Sequence, residues 1–399
     1  MKPRRLATIL ALALPGFLYG VYRFSVGVLV PGLESVYSVG DASAGAIVSA
    51  SVGFVGIGVI VSGYLAQRYG DLKTVLAGFL IFSISMGAIA FSSGILLFSL
   101  LFVVAAFGSG LMITPSYGIA ATVFPERKGL AASFVSASYN FAGFVGPVSA
   151  GYLLTYYGWD APFVEFAAVG LAFFAVFLAV LGRGTRTSST RALSALVELA
   201  RNRVILVIAV GAFLGDFGFL TYLSWTPKFL LASFGGAGAS ATTIDTVFGL
   251  GLGLGGIGTL AGGSLFDRIG GRKSATLSGL FPAVAMAGVY LANSFALAIL
   301  FVLLTGMLAN VFWALTTAMC QVNVPAERRT AATSLVQTSG FVGAFLGPGL
   351  AGAAGGPVSG VLVLTAAVPY LLLAVLVSSF YRDPARGAAP KDLSRQGGR

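Results

Sequence analysis

Long apolar runs alternate with short polar turns along the whole chain, and the runs have the length a membrane helix needs. A helix of roughly 20 apolar residues crosses the hydrocarbon core of a bilayer. Twelve such spans are predicted, at about 6–33, 43–67, 74–92, 95–123, 130–155, 161–182, 204–232, 241–266, 274–293, 295–323, 331–355 and 358–381. Inside a bilayer every backbone N–H and C=O must be satisfied within its own segment, so each span is expected to be α-helical. The expected fold is an all-α membrane protein with twelve transmembrane helices. The first span is too long for the apolar region of a cleaved signal peptide and Arg23 interrupts it, so it reads as a retained helix.

The polar turns differ in charge. Of the 24 Lys and Arg residues, 22 fall in the clusters Lys2/Arg4/Arg5, Arg68/Lys73, Arg127/Lys128, Arg183/Arg186/Arg191/Arg201/Arg203, Arg268/Arg272/Lys273, Arg328/Arg329 and Arg382 to Arg399. Two apolar spans separate each cluster from the next, with a turn almost free of Lys and Arg between them. This positive-inside pattern predicts a multi-pass protein of the plasma membrane with both termini in the cytoplasm. The net charge of +11 is thereby explained by topology, and no nucleic acid partner is expected. Hydrophobic residues make up 57% of the chain and charged ones 9%, against roughly 25% charged in a soluble domain. Histidine is absent and Cys320 is the single cysteine. A histidine proton relay, a haem ligand, an intrachain disulfide and a cysteine-rich metal site are therefore excluded, and neither metal nor cofactor is expected. Proton chemistry falls to carboxylates or tyrosines, and Cys320 reads as a small core residue.

The chain repeats itself at about 200 residues. Gly63-Tyr-Leu-Ala-Gln-Arg68-Tyr-Gly70 returns as Gly263-Ser-Leu-Phe-Asp-Arg268-Ile-Gly270, and Pro125-Glu126-Arg127-Lys128 as Pro325-Ala-Glu327-Arg328-Arg329. Gly146-Pro147 returns as Gly347-Pro348, and Pro31 has its counterpart in Pro227. The implied organisation is a six-helix bundle over 1–182, a basic cytoplasmic linker over 183–203, a second six-helix bundle over 204–381 and a cytoplasmic tail over 382–399. Two parallel halves of this kind place a binding site at their interface. Within the linker, Leu193, Leu196, Val197 and Ala200 follow helical spacing beside Arg191, Glu198 and Arg201. Either an amphipathic helix on the inner membrane surface or a disordered basic connector satisfies that pattern.

These repeated segments resemble the signature motifs of the major facilitator superfamily, and the resemblance covers essentially the whole chain. Gly263, Asp267, Arg268, Gly270 and Arg272 match the loop motif between the second and third helices of a half, and Gly63, Arg68 and Gly70 form its weaker first copy. The resemblance implies that the motif acts as a conformational latch, its Asp and Arg tying helix ends together in one state of a transport cycle. In the first copy Gln67 stands at the acidic position and Asp71 at a basic one, so the second copy is expected to dominate. Gly143, Gly146, Pro147 and Gly151 are similar to the fifth-helix glycine–proline motif often associated with exporters and antiporters, and Gly347-Pro348 with Gly343 and Gly352 forms a similar run. Small residues permit close helix packing, and proline permits a bend. Trp159 also fits the family, whereas Asp160 stands where a basic residue is commoner.

Gly251-Leu-Gly253-Leu-Gly255-Gly256 mimics a dinucleotide-binding fingerprint but lies mid-span, with no preceding strand. Gly251/Gly255 and Gly258/Gly262 read instead as close-packing positions. The informative exceptions are Arg23 and Asp216, charges near the centres of the first and seventh spans. Each costs about 2.5–3.5 kcal/mol on insertion scales, so such residues pair, face water or act in transport. One reading is a structural ion pair between the halves; the other has Arg23 holding an anionic substrate while Asp216 carries a proton. Tyr19 lies one turn before Arg23 on the same face. Tyr139, Asn140, Asn310, Trp313 and Gln337 lie at similar depth and are expected to face inward as further substrate contacts. Lys228, beside Trp225, marks the outer end of the seventh span.

The expected function is secondary active transport of a small molecule by alternating access, with a small organic anion such as a carboxylate moved together with protons or another coupling ion. The alternative is proton-coupled efflux of drugs or metabolites. A membrane receptor or a membrane-embedded enzyme is a remote alternative, because short loops offer no recognition domain and catalytic groups are scarce. The protein is expected to act as a monomer in the lipid bilayer, with no enzymatic activity.

Overall fold

The computed structural model describes residues 3–123, 128–181, 199, 201–325 and 329–383. The linker from Arg183 and the tail beyond Asp383 lie almost wholly outside the described residues, and with them the amphipathic stretch around Leu193. The first six helices are α1 (Pro3–Tyr37), α2 (Asp41–Tyr69), α3 (Asp71–Ile89), α4 (Ile95–Val123), α5 (Lys128–Tyr157) and α6 (Ala161–Leu181). Then follow α7 (Arg203–Phe234), α8 (Ala241–Ile269), α9 (Gly271–Leu291), α10 (Phe295–Ala309), α11 (Val311–Asn323), α12 (Arg329–Ala353), α13 (Ser359–Leu362) and α14 (Val368–Phe380). The segment α10–α11 makes one crossing, and α13, a π-helical turn at Val363–Ala367 and α14 make another. Among the described residues ten helical segments are long and apolar enough to cross a membrane, and α5 and α12 complete the twelve crossings.

Polar side chains and glycines set the helix ends. Asn202 Oδ1 accepts from the backbone N–H of Val204 at 2.9 Å and Ile205 at 3.3 Å, starting α7. Ser240 and Ser294 start α8 and α10 in the same way. Gly70 and Gly270 join α2 to α3 and α8 to α9 with φ of 91° and 84°. A side chain is strained there, which is the physical reason for glycine at this place in both copies of the loop motif.

The two halves are built alike. In the first, α1 packs on α5, α4 on α2 and α3, and α3 on α6; in the second, α7 packs on α12, α10 on α8 and α9, and α9 on α14. The likeness extends to single contacts. Ser138 Oγ donates to the Ala13 carbonyl at 2.8 Å, and Ser339 Oγ to the Ala209 carbonyl at 2.9 Å. Gly146 lies against the Val21 carbonyl and the Ser25 hydroxyl, and Gly347 against the Phe217 carbonyl and the Thr221 hydroxyl. Gly58 meets the Phe107 carbonyl as Gly258 meets that of Met307. Backbones approach this closely only where no Cβ intervenes. The glycines of 251–262 are thus packing residues: Gly251 faces Val302 and Gly306, and Gly262 faces Val311.

The symmetry breaks at Asn310. Its counterpart Gly110 lies inside the continuous α4, packed on the Val55 carbonyl and Gly58. Asn310 separates α10 from α11, and its amide lies against Gly255. The helix break in the tenth crossing thus coincides with a side chain at the place where the first half has glycine.

The halves meet through α2 with α12, α5 with α8, and α1 with α7. We expect Gly306→Val to force α10 off α8, since an added Cβ would overlap the Gly251 backbone, at a cost of about 1–3 kcal/mol or more. Gly360→Val enters open space and should change stability by no more than about 0.5 kcal/mol. Thermal melting of the two purified variants checks the contrast.

Candidate functional site

Arg23 and Asp216 meet at the junction of α1 and α7. Arg23 Nη2 lies 3.9 Å from Asp216 Oδ1, and the two residues are 8% and 1% exposed. Arg23 Nη1 donates to Tyr19 Oη at 2.6 Å, and its guanidinium lies 5.8 Å from the centre of the Tyr19 ring. Trp313 Nε1, on α11, donates to Asp216 Oδ1 at 2.8 Å. Tyr139, on α5, stacks on Tyr19 at 5.4 Å and leans on Phe24 at 4.9 Å. Five residues predicted from the sequence, Tyr19, Arg23, Tyr139, Asp216 and Trp313, therefore form one cluster spanning the two halves.

Exchanged side-chain sizes make room for this cluster. Gly20 and Asp216 occupy equivalent places on α1 and α7, as Tyr139 and Gly340 do on α5 and α12. In the first half the Tyr139 ring lies against Gly20; in the second, Asp216 lies against Gly340. A Cβ on Gly340 would sit 2.7 Å from Asp216 Oδ2. The π-helical turn at Val363–Ala367 coincides with the approach of Gly218 to the Ala366 carbonyl and brings Tyr370 beside Asp216.

The pair leaves hydrogen-bonding capacity unused. Arg23 Nε and Asp216 Oδ2 are buried with no protein partner, and the pair itself is longer than a hydrogen bond. An anion bound at Arg23, or a proton on Asp216, would use that capacity. In this conformation the space beside Arg23 amounts to about 10 Å³, lined by Tyr22, Ser51 and Leu220 among others.

The remaining predicted contacts lie elsewhere. Asn140 is half-buried at the α5–α8 contact, near Gly256. Asn310 is buried against Gly255, with its Nδ2 unpaired, and does not reach the cluster. Gln337 is exposed, one turn from Gly340 toward the end of the molecule that carries the basic turns, the basic face. Among the described residues no hydrogen bond joins these three amides to Arg23 or Asp216.

In the loop motifs, Arg68 is bonded by its Nη1 to Tyr64 Oη at 3.2 Å, with its guanidinium over the Tyr69 ring. The Asp267 side chain lies outside the described residues, and Arg268 is exposed. Arg272 grips the Ser378 carbonyl on α14, and Asp383 accepts from the backbone N–H of Gly271 at 2.7 Å and Arg272 at 3.2 Å. An acid at a helix N-terminus satisfies free donors and the helix dipole. Asp383 escaped sequence reasoning because its partner lies more than a hundred residues away.

A second group of charges joins the halves at the face opposite the basic turns, the distal face. Lys228 on α7 pairs with both Glu34 on α1 and Asp41 at the start of α2, 5.6 Å from the Trp225 ring. Ser49 accepts from the Gly349 N–H at 2.8 Å, and Thr242 donates to Thr155 at 3.4 Å. Among the described residues, the polar contacts between the halves thus run from Arg23–Asp216 outward to the distal face. The exclusion of Lys228 from the basic clusters was the one sequence signal for this group.

Comparisons with known proteins place this geometry. The family model described as Major Facilitator Superfamily matches residues 12–348 and 229–398. The tetracenomycin C resistance and export protein of Streptomyces glaucescens is 23% identical over 203 residues, 50% of this chain and 38% of that protein. The chain thus spans less than two fifths of that relative. A Haemophilus influenzae protein provisionally named as a metabolite transport protein is 24% identical over 280 residues, 64% of this chain and 67% of its own. The crystal structure of a D-xylose–proton symporter superimposes with a TM-score of 0.75 at 18% identity, covering 95% of this chain and 98% of that one. At that identity the likeness establishes the fold alone.

Breaking a buried ion pair from one side leaves an uncompensated charge, at a cost of about 3–5 kcal/mol. Asp216→Leu should therefore lower the melting temperature of the purified protein markedly. Arg23→Leu combined with Asp216→Leu should recover most of that loss, as a double-mutant cycle by thermal melting would read.

Proposed function

Because the chain belongs to the major facilitator superfamily, a family of multi-pass membrane transporters of small molecules, we propose that it is a secondary transporter that carries a small organic anion together with protons. The single observation that carries this reading is the buried Arg23–Asp216 pair across the junction of the halves, with Arg23 Nε and Asp216 Oδ2 free to bond. In the proposed cycle the basic face is cytoplasmic, the protein acts as a monomer in the plasma membrane, and the halves rock about the central cluster. In this conformation the cross-half contacts close the distal side.

The chemistry follows from charge balance. A substrate carboxylate is held by the Arg23 guanidinium, which is charged at every accessible pH. As Arg23 turns toward the substrate, Asp216 loses its counter-charge in a low-dielectric surrounding, and a proton removes the resulting cost. Substrate and proton thus load together. Tyr19 and Trp313 hold the two charged groups in register through their hydrogen bonds to Arg23 and Asp216.

A second reading, proton-coupled efflux of a drug or metabolite, is favoured by the aromatic wall of Tyr19, Phe24, Tyr139 and Trp313 and by the likeness to an export protein. Under that reading Arg23 only balances Asp216 and reads no substrate charge. Uptake into proteoliposomes with an internal pH-sensitive dye, screened with organic anions against cationic drugs, separates the two. Proton movement evoked by the cationic drugs alone would overturn the anion reading.

Asp216→Asn should abolish pH-driven accumulation while leaving substrate exchange measurable, and Arg23→Ala should impair both. Undiminished pH-driven accumulation by Asp216→Asn would remove Asp216 from the coupling step.

The distal charges should act as a gate. Lys228→Met removes the cation that ties Glu34 and Asp41 of the first half to α7 of the second, so the halves should part more readily there. In a Cys320→Ser background, a cysteine introduced at Ser35 should react several-fold faster with a membrane-impermeant maleimide when Lys228 is replaced. Equal labelling rates would show that these ion pairs do not hold the distal side shut.

A further inference from the structure

A partly open pocket lies near the distal face, between α1 and α5 of one half and α7 and α8 of the other. Its volume is about 290 Å³, close to the roughly 300 Å³ at which small-molecule pockets begin. Pro31, Leu154, Leu231 and Ile244 are among the apolar residues of its wall, and Trp159 also lines it, with its Nε1 buried and unbonded. Into this apolar wall α8 places one carboxylate, Asp245.

Asp245 is 8% exposed and has neither ion pair nor hydrogen bond among the described residues. Its carboxylate lies over Gly151, which has no side chain to offer a donor. A buried acid is ordinarily paired. Here the supply of partners is exhausted: outside the basic-face clusters the chain holds only Arg23 and Lys228, and both already serve other acids. Glu34 and Asp41 share the single cation Lys228, so the distal junction of the halves has no positive charge left for Asp245. An unpaired carboxylate beside an indole ring in an apolar chamber has the chemistry that holds an organic ammonium ion, with the acid as counter-charge and the ring face as cation–π wall. An alkali ion would need several oxygen ligands, and this wall is mostly carbon.

We propose that this chamber is a second binding site, for a small organic ammonium ion held by Asp245 and Trp159, separate from the Arg23–Asp216 cluster. Because elements of both halves form its wall, an occupant joins them and favours the conformation in which the distal side is closed. The inference is independent of which substrate the central cluster takes.

The test is isothermal titration of the purified full-length protein with choline and with its uncharged isostere 3,3-dimethylbutan-1-ol. Choline should bind, and the isostere should bind at least about tenfold more weakly, since only choline pairs with the buried acid. Asp245→Asn should weaken choline by at least about tenfold, Asp245→Glu should retain most of the affinity, and Ser35→Phe, which fills the chamber, should remove it. Bound choline should also slow maleimide labelling at the distal face. No choline binding by the unmodified protein, equal binding of the isostere, or undiminished binding by folded Asp245→Asn would each overturn the proposal. If Asp245→Asn fails to fold, the comparison of choline with its isostere on the unmodified protein decides the question.

Discussion

Arg23 and Asp216 are charges that a bilayer-spanning chain keeps only at a cost, and each makes the other tolerable across the junction of the two halves. Much of the central architecture follows from that constraint. Gly340 is small because Asp216 needs its space, Trp313 points inward because Asp216 needs a donor, and Tyr19 stands one turn from Arg23 because the guanidinium needs an acceptor. The pair belongs to neither half alone. Its strength depends on how the halves sit, so a change in their angle is also a change in electrostatic energy.

Around that pair the interfaces are built from glycines set against carbonyls. Gly146 and Gly347 at equivalent places bring α5 onto α1 and α12 onto α7, while Gly143 and Gly151 of the same run face Leu252 and Asp245 of the other half. One glycine-rich helix thus serves two partners, one fixed and one able to move. Contacts of this kind carry little side-chain interlocking, which lets one bundle turn against the other without repacking its core.

The membrane fold was legible in the sequence because bilayer thickness imposes one hydropathy period on every span, and the positions of Arg68, Arg268 and their neighbours repeat every second span. The duplicated plan was legible for the same reason, down to the match of Gly146-Pro147 with Gly347-Pro348. Of the central site, Arg23 and Asp216 were legible because a charge in an apolar span stands out, and Tyr19 because helical spacing ties it to Arg23. The surroundings of Asn140, Asn310 and Gln337 were not legible, since polarity shows that an amide avoids lipid but not which protein surface it meets. Asn310 illustrates this: it stands where the first half has Gly110, at a helix break and against Gly255. The pairing of Lys228 with Glu34 and Asp41, and the reach of Asp383 to Gly271, depend on tertiary proximity and leave no local trace.

The Asp383 contact bears on the likeness of the two halves. In the first half Asp71 opens α3 and turns its carboxylate onto Gly118 of α4, so the acid is part of the repeated segment itself. In the second half the same place is Gly271, and the acid beside it comes from beyond the final helix. One half thus carries an acid within the motif, while the other takes it from a residue beyond its last helix. The halves share a plan but are not interchangeable parts: a protein assembled from two first halves would carry Asp71 twice, and one assembled from two second halves would need an acid beyond the last helix of each.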